Sequence, residues 1–284
     1  MSKLFHWLSR WPLPLLHALG AGLGWLAYGL SPTYRRRLDA HVAQAGVGPD
    51  AARAAVAAAG RMAAELPRLW LWGSAGVPVS CVGDELIERA LAQGRGLVLL
   101  TPHLGCFEIT AQAFAATHGA CHPITVLYRP ARQAWLRAMM ETSRDRPGMT
   151  AVPAELSGVR QMMRALKRGE AVGLLPDQVP PEGMGVWAPF FGCDAYTMTL
   201  AARLVQQSGA AVLTVWGERL PSGRGYVVHY ERLTETLPTD ASAQAESAAV
   251  INRAMERLIM RCPEQYLWGY HRYKAPRRLS ADMS

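Results

Sequence analysis

From residue 79 onward short apolar runs alternate with segments of helical periodicity, and this constrains the fold more than any other feature of the chain. The runs at 79–82, 97–101, 124–128, 150–152, 171–175, 211–216 and 225–230 read as strands. The segments 84–93, 107–117, 132–144, 156–168, 198–208 and 241–261 read as helices. Such alternation predicts an α/β fold, a mixed and partly parallel sheet flanked by helices on both faces. Ligand sites in sheets of this kind form beyond the carboxyl ends of the strands. Helices are also expected at 34–44 and 49–72. With no repeat or linker, the organisation reads as an N-terminal anchor (1–32), a helical segment (33–78) and a catalytic domain (79–284).

The anchor rests on Trp11 to Leu30, twenty residues without Asp, Glu, Lys or Arg. As a helix this run is roughly 30 Å long, about the thickness of a bilayer's hydrocarbon core. Lys3 and Arg10 precede it, Arg35, Arg36 and Arg37 follow it, and Trp11, Trp25 and Tyr28 could sit at interfaces. A membrane-anchoring helix is therefore expected, with the larger basic cluster placing the body on the cytoplasmic side. Pro12, Pro14 and the glycines leave two arrangements open, a crossing of the bilayer and a helix on its surface. The formal charge of +8 calls for an acidic partner. Nothing in the basic residues has the form of a nucleic-acid reading element. The five cysteines are scattered without a C-x-x-C pair, which fits a reducing compartment and offers no thiolate zinc site.

The stretch "LVLLTPHLGCFEIT" (97–110) is the candidate catalytic centre. His103 falls just past a strand end, Gly105 permits a tight turn, and a helix starts near Phe107. With His103 in the loop and Glu108 in the first helical turn, the carboxylate can fold back on an imidazole nitrogen as a base–orienter pair. The alternative is a loop histidine beside a glutamate stabilised by the helix dipole. With no G-x-S-x-G or comparable nucleophile nearby, a basic His103 would activate a group on the substrate, most simply a hydroxyl. Arg129 ends the next strand with a guanidinium suited to phosphate. The stretch 174–199 reads as a long loop that opens with Asp177 and closes with Phe190, Phe191 and Gly192; loops of that length are usually functional. The tail "EQYLWGYHRYK" (264–274) sets aromatics beside His271, Arg272 and Lys274, as a surface meeting lipid headgroups would; the alternative is a docked terminus.

Together and in this order "HLGCFE", "YRP", "DQ" followed by "FFG", and "WGYHRYK" resemble the late acyltransferases of lipid A biosynthesis, within the wider lysophospholipid (glycerolipid) acyltransferase superfamily. The resemblance implies His103 as general base and Glu108 as its partner, Arg129 at the acceptor phosphate, and Asp177 with its neighbour Gln178 shaping the site. It draws attention to Glu65 in "RMAAELPRLW". It further implies an inner-membrane enzyme facing the cytoplasm that moves an acyl chain from acyl-acyl carrier protein or acyl-CoA to a hydroxyl of a lipid A precursor. The helices 132–144 and 156–168, with Arg132, Arg137, Arg144, Arg160, Arg164, Lys167 and Arg168, read either as a basic landing surface for the donor or as a solvated helix face. No metal or other cofactor is expected. Another lipid acceptor (an ornithine lipid, a glycolipid or a lysophospholipid) and a non-catalytic lipid-binding protein are the alternatives. "PPEGMG" (180–185) lacks the basic residue expected for a glycerol-phosphate acceptor.

Overall fold

A computed structural model describes residues 2–129, 133, 140 and 146–278. Four helices come first: α1 (Ser2–Ser9), α2 (Leu13–Leu30), α3 (Pro32–Gln44) and α4 (Pro49–Trp72). Then follow β1 (Val79–Val82), α5 (Glu85–Leu91), β2 (Leu97–Leu100), α6 (Phe107–His118), β3 (Ile124–Tyr128) and β4 (Met149–Pro153). The chain continues through α7 (Leu156–Lys167), β5 (Ala171–Leu174), β6 (Gly185–Phe190), β7 (Cys193–Met198) and α8 (Leu200–Ser208). It ends with β8 (Ala211–Arg219), β9 (Tyr226–Arg232) and α9 (Gln244–Ile259). The expected helix over 132–144 lies almost wholly outside the described residues.

Seven strands form one sheet in the order β1-β9-β8-β2-β5-β3-β4. The five from β8 to β4 are parallel; β9 runs antiparallel to β8 and parallel to β1. β2 is central, so its uninterrupted run Leu97–Leu100 suits a strand covered on both faces. Val98 and Leu100 pack with α7, α8 and α9 on one side, and Leu97 and Leu99 with α5 and α6 on the other. Each such leucine adds about 1.5–3 kcal/mol by leaving water. The expected α/β architecture is therefore present, with the helical layers on both faces.

The stretch 174–199 is not a bare loop. β6 and β7 pair antiparallel through a two-residue turn, Phe191-Gly192, with both residues at positive φ (46° and 77°). Mirror-image turns need that conformation, which a phenylalanine adopts only under constraint. Here Phe191 N–H donates to Glu256 of α9 at 2.8 Å, and the Phe191 carbonyl accepts from Gln44 at 3.1 Å. Pro and Gly density hid this hairpin from the sequence reading.

Candidate active site

Neighbouring parallel strands in register bring two residues together. Leu100 of β2 pairs with Leu174 of β5, and His103 and Asp177 each lie three residues beyond. Asp177 Oδ1 accepts from His103 Nδ1 at 2.8 Å; its Oδ2 accepts from the His103 backbone N–H at 2.9 Å and from Tyr266 O–H at 3.2 Å. The Asp177 side chain is 2% exposed and that of His103 14%. Burial alone would raise the Asp177 pKa; the His103 charge and its hydrogen bonds overcome this and hold it below the ordinary value. An ionised carboxylate only accepts, so Nδ1 carries the proton and Nε2 is left with its lone pair. That lone pair faces the Gln178 amide nitrogen at 3.0 Å. The arrangement fixes one tautomer and points a basic nitrogen out of the loop, which suits general-base chemistry.

The orienting carboxylate is thus Asp177, where Glu108 was expected. Both ring nitrogens of His103 are occupied by Asp177 and Gln178. Glu108 instead lines an adjoining cavity, with the Arg146 guanidinium within electrostatic reach. The cavity lies among β2, β3, β5 and α6, and Leu99, Val126, Met149 and Leu174 contribute to its apolar walls. Phe107, which also lines it, holds its ring 4.8 Å from the imidazole of His103.

The loop 103–106 is clamped residue by residue. His103 C=O accepts from Leu267 N–H at 3.1 Å, and Leu104 bridges Tyr266. Gly105 N–H donates to Gln265 C=O at 3.0 Å, and Cys106 N–H to Gly217 C=O at 2.7 Å. Gly105 has φ +58°, and a Cβ there would collide with the Gly217 carbonyl, so only glycine fits. Its own carbonyl accepts from Arg219 at 2.9 Å. Arg219 in turn makes a bidentate pair with Glu65 (2.8 and 2.6 Å), which also meets His17 of α2 at 3.0 Å and Tyr226 O–H at 2.9 Å. Burial works against the charge on Glu65, but Arg219 and His17 keep its pKa low.

The tail therefore has a different place from the one expected. Tyr266 and Trp268 are buried against the loop and the core, not presented to a headgroup layer. Arg272 is also buried, bonded to Tyr196 C=O and Thr197 Oγ1 (both 2.7 Å), with its guanidinium 5.0 Å over the Phe190 ring. Phe190 is a core residue, Phe191 and Gly192 form the hairpin tip, and His271 is exposed. Arg129 is exposed just past β3, at the same end of the sheet as His103. The structure thus joins His103, Asp177 and Gln178, keeps Glu108 and Arg129 nearby, and gives Phe190 and Arg272 to hairpin packing. Arg219, Gln265 and Tyr266 were missed as parts of the site; only the density of aromatics around Tyr266 hinted at it. Among the described residues no group of three or more His, Cys, Asp or Glu is placed to hold a metal ion.

Comparison with known proteins identifies the family. A family model described as bacterial lipid A biosynthesis acyltransferase matches residues 5–275. The chain is 31% identical over 208 residues to a lipid A biosynthesis palmitoleoyltransferase of Escherichia coli (strain K12), covering 72% of this chain and 65% of that protein. It is 29% identical over 212 residues to a lipid A biosynthesis lauroyltransferase of the same organism, with the same coverage. A lipid A biosynthesis acyltransferase of Haemophilus influenzae is 25% identical over 273 residues, 93% of this chain and 85% of that protein. The match to both Escherichia coli relatives thus spans just under two thirds of their length. With a family model covering nearly all of it and this loop at its centre, the chain belongs to the bacterial lipid A biosynthesis acyltransferase family.

Proposed function

We propose that the protein is a membrane-bound O-acyltransferase that moves a fatty acyl chain from a thioester donor to a hydroxyl of a lipid A precursor. The observation that carries this reading is the Asp177–His103 pair beside an apolar cavity. The acceptor hydroxyl replaces the Gln178 amide at His103 Nε2 and gives up its proton there as its oxygen attacks the thioester carbonyl. The new C–O bond forms, the C–S bond breaks, and the thiolate leaves, taking the proton from the imidazolium. Asp177 keeps the ring in one tautomer throughout and stabilises its positive form. Glu108 is the second carboxylate of the site, at the cavity wall where acyl chain and acceptor meet. The cavity takes the acyl chain, and Arg129 takes an acceptor phosphate.

Acyl-acyl carrier protein is the donor this reading favours. Arg160, Arg164 and Lys167 of α7 are exposed and give an acidic carrier a basic face. The apolar helix α2, the basic residues flanking it and the family's membrane-borne acceptor support a site on the cytoplasmic face of the inner membrane.

The test is mass spectrometry of lipid A from Gram-negative cells lacking their late acyltransferases and expressing this chain or its His103→Ala variant. The expected result is a gain of one acyl group with the parent and none with an equally abundant variant. No gain from folded, membrane-bound parent overturns lipid A as the acceptor. The same spectra of total lipids then separate acylation of another lipid from binding without turnover.

A further inference from the structure

Helix α2 has two faces of opposite character. Leu15, Leu19, Leu23, Leu26 and Leu30 are exposed, at spacings of four, four, three and four, and so form one stripe along the helix. Trp25 beside them is 46% exposed, and Leu4 and Trp7 extend the apolar surface onto α1. The other face, with Leu13, Leu16, His17, Gly20 and Gly24, is buried.

That buried face is docked lengthwise on α4. His17 bonds Glu65, a Cβ on Gly20 would lie 2.6 Å from the Gly60 carbonyl oxygen, and one on Gly24 would strike the carbonyl of Val56. The two helices run antiparallel with glycine backbones in contact. At one end Pro14 lies against Gly223; at the other Tyr28 donates to Asp39 of α3 at 2.9 Å.

This packing is incompatible with a crossing. A spanning helix needs apolar surroundings on every side for about 30 Å. Standing α2 upright would carry α4 into hydrocarbon beside it, with Arg61, Glu65 and Arg68 and the Arg219 strand end bonded to Glu65. Charged groups at mid-bilayer carry a heavy desolvation cost. An in-plane helix meets no such cost, since only its leucine stripe leaves water. The charge pattern agrees: residues 1–48 carry Lys3, Arg10, Arg35, Arg36 and Arg37 against one carboxylate, Asp39, and of these cations only Arg37 is partly buried. Anionic headgroups are the matching partner.

We propose that α1 and α2 lie in the plane of an anionic bilayer, the leucine stripe of α2 immersed at the acyl boundary and the whole body on one side. This deepens the membrane-bound part of the function proposed above and rests on it. The test uses the full chain with Cys81, Cys121 and Cys193 changed to Ser and one nitroxide label at Leu15→Cys, Leu23→Cys or Leu30→Cys. It is reconstituted with phosphatidylcholine–phosphatidylglycerol vesicles, and label depth is read from oxygen against nickel-chelate accessibility. All three labels should report one shallow depth, about 5–10 Å below the headgroups. The triple change Leu19→Glu, Leu23→Glu, Leu26→Glu should lower the vesicle-bound fraction at least tenfold. A profile with the label at 23 near mid-bilayer and those at 15 and 30 near opposite faces would overturn the in-plane arrangement. So would aqueous exposure of all three. Acyl transfer by the labelled proteins in detergent micelles is scored separately, so failure of the catalytic reading is seen apart from failure of the topology.

Discussion

Asp177 and Glu65 are both buried carboxylates, and both hold the loop 103–105, yet they are satisfied in opposite ways. Asp177 leans on an imidazole that keeps an opening to solvent. Glu65 is closed in by a guanidinium that never deprotonates, a tyrosine and a second histidine. In the proposed mechanism a proton passes at the first site; at the second any change of charge strands an ion in the interior. On the proposed mechanism the labour is divided: one carboxylate serves the moving proton, the other fixes the loop on which that proton moves.

The comparison predicts where damage appears. Asp177→Asn should cut kcat by about 10²–10⁴ with folding intact, because an amide no longer dictates the tautomer; steady-state kinetics with a circular dichroism check decides it. Arg219→Met leaves Glu65 buried without its partner and should cost about 3–5 kcal/mol of stability in denaturant titration. The double change Glu65→Gln, Arg219→Met should recover much of that. His17→Ala removes one bond to a charged group, about 1.5–3 kcal/mol in the same assay. Acid should also tell. Both carboxylates have folded pKa values below the ordinary 3.8 and 4.5, so they bind fewer protons folded than unfolded. Their stabilisation is present above about pH 4.5 and is lost as pH falls further, and the urea midpoint at pH 3 should lie clearly below that at pH 6. The smallest effect is expected at Glu235, whose pKa is lowered to about 2 by hydrogen bonds to Arg253 and Arg257. That group is solvated, so Glu235→Gln should shift stability by only about 0–1 kcal/mol. A large effect there, or a small one at Arg219, would break the contrast.

How much of this was legible follows the range of each interaction. The strand run 97–101, the helix after Phe107 and the position of His103 are local, and the sequence carried them. Asp177 was visible as a residue past a strand end, but its contact with His103 depends on β2 and β5 being neighbours, which sequence order does not state. Glu108 looked like the partner because it was five residues away; the real one is 74 away. Arg219 looked like any charge at the end of a strand, its carboxylate lying 154 residues earlier. The tail's aromatics carried no periodicity that separates a buried brace from a wet surface, and the loop-backing role of Gln265 and Tyr266 is set by tertiary contact alone.

That separation of 154 residues between Glu65 and Arg219 also has a consequence in time. At roughly 5–20 residues per second of synthesis, Arg219 emerges about 8–30 s after Glu65. Throughout that interval α2 and α4 exist without the strand ends that complete their buried ion pair. A leucine-striped helix left in water for so long would seek other chains. If, as proposed, it rests on a bilayer from the moment it emerges, it waits where its apolar side is already satisfied, and the glycine-lined contact with α4 can close when the sheet arrives. With the in-plane arrangement proposed above, the order of synthesis makes the membrane a holding surface for the nascent chain as well as the mature protein's address, and pulse-labelled chains should pellet with membranes before Arg219 has been made.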